Sequence, residues 1–349
     1  MPRRMPQTVL VTPRARTLRC VAVALAACSA LGALGALGAL GALGALGACG
    51  AREEPAARGA YLAKLMGCPA CHSPDPARPY AGGLEGREAA GPWRAPNLTP
   101  HAATGIGRWA DAQIVAAVRD GVRPDGRVLH PIMPYRYYRR LTDEDARALV
   151  AFLRSLAPIE HAVAPVPVPA PHAPPAPAPP APAPPAPPPP APPPPAPAPP
   201  LPPPAASPAP ADRGEYLVAL MHCAACHATP GPDGEPDPAR PLAGGKAMQP
   251  FGAGLVSLGT GTLIAANLTP DRETGLGAWT ADDVARAIKL LVRPDGTTIR
   301  GPMQLYAAGW SALDDRDAAA IAAYLKQLPP VRHRVPAATF QPHGPPPPR

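Results

Sequence analysis

Aromatic residues are scarce in this chain: four Trp, eight Tyr and three Phe make up 4% of 349 residues. With so few large rings, any small globular part has little bulk to fill a core and must borrow apolar mass, as small domains do from cofactors or staples. Acidic residues are absent from the first fifty positions, which hold Arg3, Arg4, Arg14, Arg16 and Arg19 and then an uncharged run from 20 to 50. Cysteine is sparse too. Of seven, Cys20, Cys28 and Cys49 lie in that N-terminal stretch and the other four form two C-x-x-C pairs, leaving none for a disulfide framework. No acid/base pair or nucleophile repeats along the chain, so no catalytic residue is assigned. The net charge of +8 comes largely from the N-terminal arginines and a modestly basic stretch over 51–157, while 212–349 balance. That pattern gives no evidence for nucleic-acid binding.

Proline is abundant where other residues fail. Sixty prolines far exceed the usual share of about 5%, and they crowd into an Ala/Pro tract that has nothing to bury. Such a tract reads as a disordered or polyproline-like spacer. Five segments follow: 1–49, an export segment with an L-G-A repeat; 50–157, a first domain; 158–211, the Pro-rich linker; 212–335, a second domain; and 336–349, a Pro-rich tail.

The export segment has a basic start and an apolar run, the pattern of a secretory signal. Leu46-Gly47-Ala48-Cys49 and Leu25-Ala26-Ala27-Cys28 resemble the lipobox of bacterial lipoproteins, which implies cleavage before the cysteine and acylation of its thiol. Cys49 is preferred because cleavage there removes the whole run, and Cys28 is the alternative. An uncleaved anchor is the other reading, since a run near thirty residues exceeds the roughly 20 needed to span a bilayer. Each reading expects a protein exported to the periplasmic side of the cell membrane and tethered there.

The chemistry lies in two copies of one run, RGAYLAKLMGCPACH at 58–72 and RGEYLVALMHCAACH at 213–227. C-x-x-C-H is the attachment pattern of a c-type haem. Two thiols at this spacing, Cys68 with Cys71 and Cys223 with Cys226, each take one vinyl group of a porphyrin, and His72 or His227 falls beneath the iron as an axial ligand. A zinc ribbon would pair two such hooks in one small domain, and a redox dithiol needs no following His. Two covalently bound haem c groups are expected. Downstream, N-L-T-P recurs at 97 and 267, T-G-[IL]-G-x-W at 104 and 274, R-P-D-G at 123 and 293, and a methionine at 133 and 303. All four pairs are 170 residues apart, so the domains are a tandem duplication with a Gly-rich insertion near 251–262 in the second. Met133 and Met303, each in a loop before a closing helix, are the expected sixth ligands, and a Met ligand raises the potential. His130 has Arg300 at the repeat position; His101 and His222 have no repeat partner and are expected at the surface. Met66 and Met221 are expected in the core.

The order of N-terminal helix, C-x-x-C-H, Met loop and closing helix resembles a class I cytochrome c domain in each half. The fold expected is all-α: two tandem class I cytochrome c domains joined by a disordered Ala/Pro-rich linker. N-L-T-P followed by T-G-[IL]-G-x-W is similar to the cytochrome c subunits of membrane-bound alcohol and gluconate dehydrogenases, which carry three haems where this chain has two motifs. The resemblance implies an electron-transfer protein rather than an enzyme, carrying single electrons between a donor and an acceptor. The partners expected are redox proteins: a dehydrogenase, a quinol-oxidising complex or a terminal oxidase. The alternatives are a peroxidase-like dihaem enzyme with one open iron, or a fixed subunit of a dehydrogenase or oxidase complex. The Arg136, Arg139 and Arg140 cluster after Met133 is a candidate docking face for an acidic partner. The long spacer predicts two nearly independent redox centres that exchange electrons only on encounter.

Overall fold

Apolar residues at helical spacing, with Pro or a polar cap just ahead, set where each helix starts. The computed structural model describes residues 54–88, 90–164, 166, 210–231, 236–248 and 259–342. The export segment with Cys28 and Cys49, most of the spacer, the centre of the insertion and the last seven residues lie outside these. In the first module, α1 (Pro55–Leu65) leads into α2 (Cys68–His72). A hairpin of β1 (Glu85–Glu88) and β2 (Gly91–Arg94) follows, then α3 (Asp111–Asp120), α4 (Tyr135–Tyr138) and α5 (Asp143–Ser155). The second module repeats the order with α6 (Pro210–Leu220), α7 (Cys223–His227), short strands β3 (Ala247–Met248), β4 (Gly259–Thr260) and β5 (Leu263–Ile264), and α8 (Ala281–Leu290). A 3₁₀ turn (Pro302–Leu305), α9 (Ala307–Trp310), α10 (Asp315–Gln327) and β6 (Gln341–Pro342) complete it. The hairpin, with Glu85 opposite Arg94, replaces part of what the sequence reads as loop, because cross-strand pairing outweighs weak local propensity.

Within each module the first and last helices cross closely. Gly59 sits on α5, where an added Cβ would lie 1.9 Å from the Ala148 carbonyl oxygen, and Gly214 sits on α10, 2.1 Å from that of Ala320. The motifs that repeat 170 residues apart build the loop between. Asn97 Oδ1 accepts from the Thr99 amide at 2.9 Å and Asn267 Oδ1 from the Thr269 amide at 2.9 Å. Arg154 donates to the carbonyls of Ile106 and Trp109, and Lys326 donates to those of Leu276, Gly277 and Trp279. N-L-T-P and T-G-[IL]-G-x-W are thus one hydrogen-bonded corner, capped by a cation from the closing helix.

The chain after each closing helix returns to this corner. Asn97 Nδ2 donates to Ile159 O at 2.8 Å, and Asn267 Nδ2 to Val331 O at 2.8 Å. Residues 157–161, read from sequence as the end of the domain and the start of the spacer, are therefore bonded to the first module. Likewise, β6 pairs with β4, which holds residues 341 and 342 of the expected tail against the second.

The described residues from 54 onward form one compact unit, in which the two modules pack against each other. The halves meet face to face in a reciprocal contact. Tyr61 donates to Asp317 Oδ2 at 2.7 Å, and Tyr216 donates to Asp145 Oδ2 at 2.6 Å. Each aspartate also takes a two-pronged arginine from its own module: Arg58 at 2.9 and 3.0 Å, Arg213 at 2.8 and 2.6 Å. The same hydroxyls accept in turn, Tyr61 from the Asp314 amide and Tyr216 from the Thr142 amide. Spacer length does not decide module separation when folded surfaces offer such a partner. Linking makes the second contact intramolecular and raises its effective concentration.

Candidate haem-attachment sites

A proximal ligand needs a neutral imidazole with one nitrogen free, and the partner of the other nitrogen decides which. His72 is buried at 5% exposure, and its Nδ1–H donates to the Pro96 carbonyl at 2.8 Å. His227, half-buried, donates in the same way to the Ala266 carbonyl at 2.8 Å. In both, Nε2 is left with its lone pair. Burial pushes the His72 ring down to about 4, against the smaller opposing effect of its Pro96 bond, and lowers His227 as well. Both rings are neutral at pH 7. Burial likewise pushes the Cys68 thiol up to about 12, Cys71 up to about 11 and Cys223 up to about 12. These cysteines are half-buried and unbridged.

The donor set in each module fits a c-type haem: two thiols on one helical turn, an imidazole presented by its free nitrogen, and a methionine, Met133 or Met303, half-buried against the apolar core. Buried polar atoms beside the sites point the same way. Trp93 Nε1, three residues before the carbonyl that orients His72, and Thr229 Oγ1, two residues after His227, have no protein partner. A group carrying carboxylates would satisfy them. The Met loops are stiffened differently. Pro134 follows Met133, whose own amide donates to His130 O at 3.0 Å. In the second loop Gln304 Oε1 accepts from the Gly301 amide at 2.8 Å and closes the 3₁₀ turn, so Gln304 does the work of the missing proline.

The remaining candidates fall into place. Met66 and Met221 are buried in the core, as expected. His101 caps its loop through Thr104 Oγ1 at 2.8 Å, and Asp271 caps the second copy through Thr274. His222 is not a surface residue. It is buried at 7% exposure between the modules, with ring centroids 5.1 Å from Tyr306 and 6.2 Å from Tyr138. Its helical-repeat counterpart is Gly67, where an added Cβ would lie 2.6 Å from the Tyr306 ring and 3.8 Å from His222 Nε2. Only a glycine fits opposite those rings. Two members of the arginine cluster have acids facing them, Arg140 with Glu215 across the module interface at 2.7 Å and Arg139 with Asp120 at 3.8 Å. Arg136 is exposed. The first two are thus held in solvent-exposed pairs.

No motif in the sequence marks Arg58, Tyr61, Asp145, Arg213, Tyr216, Asp317 or Tyr306 as functional. A usable signal was there. Arg, Tyr and Asp recur at matching positions of both copies on helices that otherwise repeat only apolar residues.

The cytochrome c family matches residues 56–157 and 211–329, one match per module, each beginning in the N-terminal helix of that module. The chain belongs to the cytochrome c family. Its curated relatives include an alcohol dehydrogenase (quinone) cytochrome c subunit from Gluconacetobacter polyoxogenes, 37% identical over 282 residues, covering 78% of this chain and 56% of that one. A gluconate 2-dehydrogenase cytochrome c subunit from Pantoea cypripedii is 34% identical, covering 78% of this chain and 59% of its own length. A dihaem c-type cytochrome from Cereibacter sphaeroides is 30% identical, covering 79% of this chain and 86% of its own. The chain spans just over half the length of the dehydrogenase subunits and most of the dihaem cytochrome. Covalently bound haem c is its cofactor. Among the described residues no helix is long and apolar enough to cross a membrane.

Proposed function

We propose that this cytochrome is a two-haem electron relay whose haems exchange electrons within one folded body. One haem c would be held by Cys68 and Cys71 with His72 and Met133 as iron ligands, the other by Cys223 and Cys226 with His227 and Met303. The haem iron supplies the one-electron couple, and the protein sets its potential through the axial ligands and burial. The observation that carries the relay is the closeness of the two attachment helices. Gly67 precedes Cys68, His222 precedes Cys223, and these residues meet through the Tyr306 ring. Tyr306 also lies within electrostatic reach of both Cys71 and Cys226.

The relay works on the periplasmic side of the cell membrane, tethered through Cys49 or, failing that, Cys28. It takes electrons from a membrane-associated dehydrogenase and passes them toward a respiratory acceptor. The dehydrogenase relatives support that donor class, and the dihaem relative supports a unit of this size acting in another assembly.

Carbon monoxide tests the ligand assignment. The reduced protein should bind none at either haem, because Met133 and Met303 close both irons. Met303→Ala should bind one equivalent and leave the other haem's visible spectrum unchanged. Stoichiometric binding to the unmodified protein would instead indicate an open iron and a dihaem enzyme.

A further inference from the structure

His161 and His333 were not singled out by any motif, because they fall beyond the closing helices and their spacing is 172 rather than 170 residues. The structure puts them in identical places. His161 Nδ1–H donates to the Ala81 carbonyl at 2.8 Å, and His333 Nδ1–H to the Ala243 carbonyl at 2.9 Å. The acceptors are buried at 1% and 0% exposure. Each histidine is anchored by its own amide, His161 to Thr104 Oγ1 at 3.0 Å and His333 to Thr274 Oγ1 at 3.0 Å. Each ring lies against a glycine: a Cβ on Gly83 would be 2.9 Å from His161 Cε1, and one on Gly245 2.6 Å from His333 Cε1.

What the clamped loop touches gives this a role. Gly82 donates its amide to the His72 carbonyl at 2.9 Å, and Gly83 donates to Ala95 O at 2.9 Å. A Cβ at Gly82 would lie 2.4 Å from Pro96 O, the same oxygen that accepts the His72 Nδ1–H. The second module has the same links. Gly244 donates to His227 O and Gly245 to Ala265 O, both at 2.9 Å, and a Cβ at Gly244 would lie 2.5 Å from Ala266 O, the acceptor for His227. The loop leaves no slack between the clamp and the acceptor carbonyl.

We propose that His161 and His333 are positioning residues for the proximal histidines, each pressing a glycine loop onto the carbonyl that orients His72 or His227. The proposal rests on the reading of those two histidines as iron ligands. A firmly held acceptor strengthens the hydrogen bond donated by Nδ1–H, makes the imidazole a better donor to the iron and favours the oxidised iron. A loosened acceptor does the reverse and raises the potential of that haem alone.

The test is a spectroelectrochemical titration of the haem-loaded protein beside His161→Ala, His333→Ala and the donor-retaining His161→Asn. The expected result is a rise in one component for each alanine variant, a different component in each. The size should be about threefold to tenfold in the oxidised-to-reduced ratio, where tenfold is about 59 mV for a one-electron couple. His161→Asn should return part of the shift. Lower melting temperatures with unmoved potentials would mean a merely structural strap and would overturn the proposal. If His161→Ala does not accumulate, His333→Ala is read in its place, and an unmoved potential there overturns the proposal equally. Nitrogen hyperfine coupling to the iron in the unmodified protein separates the two readings. Its absence would sink the ligand assignment, whereas its presence with unmoved potentials would sink only the clamp.

Discussion

Asp145→Ala is expected to destabilise the folded body by about 3–5 kcal/mol, because it strands the part-buried Arg58 guanidinium without its counter-charge. The same change removes the acceptor of the Tyr216 hydroxyl, so part of the loss falls on the contact between modules. The reciprocal site predicts the same for Asp317→Ala, through Arg213 and Tyr61. Tyr216→Phe should cost far less, since it leaves the Arg58–Asp145 pair intact and deletes one neutral donor. Chemical denaturation of the haem-loaded protein checks the order Asp145→Ala, then Tyr216→Phe, then unmodified chain. Equal midpoints for all three would show that the interface carries no load.

Acid should act on the same contact. Burial pushes the Asp317 carboxyl up, but the bonds from Arg213 and Tyr61 outweigh it and leave it below the usual carboxylate range. A depressed carboxyl stabilises the fold above its unfolded value of about 3.9, and that stability is lost as the pH falls through the folded value. The module contact should therefore hold at neutral pH and weaken only in strong acid.

The second large effect belongs to a residue with no side chain. Gly59→Val should cost about 3 kcal/mol or more, at the upper end of overpacking changes, since even a Cβ would sit 1.9 Å from a backbone oxygen of α5. Backbone cannot rotate aside as a side-chain tip can, so the two helices must separate. Tyr61, two residues away on α1, would move with them, and thermal melting should show the loss. A control at exposed Arg147, changed to Ala, should change the melting temperature little.

The legible part of this molecule was whatever repeats in sequence as it repeats in space. Cys68, Cys71, His72 and their second copies are contiguous, and Met133 and Met303 keep a fixed place before a closing helix. The helix ends followed as well: Thr142 caps α5 by accepting from the Asp145 amide, as its position predicts. The Asp145 side chain was not legible, because a first-turn acid ordinarily serves its own helix, and here it serves Arg58 and a tyrosine 71 residues away. His222 was read as a surface residue for lack of a repeat partner. Its partner is Gly67, the space opposite it, and an absence of side chain is not a visible motif. The spacer misled most directly, because its composition describes the tract itself and says nothing of the surfaces at its ends.

Electron redistribution after partial reduction tests the central claim most directly. A brief radiolytic pulse that places one electron on the oxidised protein should be followed by transfer between haems at a first-order rate independent of protein concentration. Shortening the Pro-rich tract by twenty residues should leave that rate unchanged, because the contact made by Tyr61, Tyr216 and Tyr306 sets the separation. A rate that scales with protein concentration, or with the length of the tract, would show that the haems meet only by encounter and would contradict the relay.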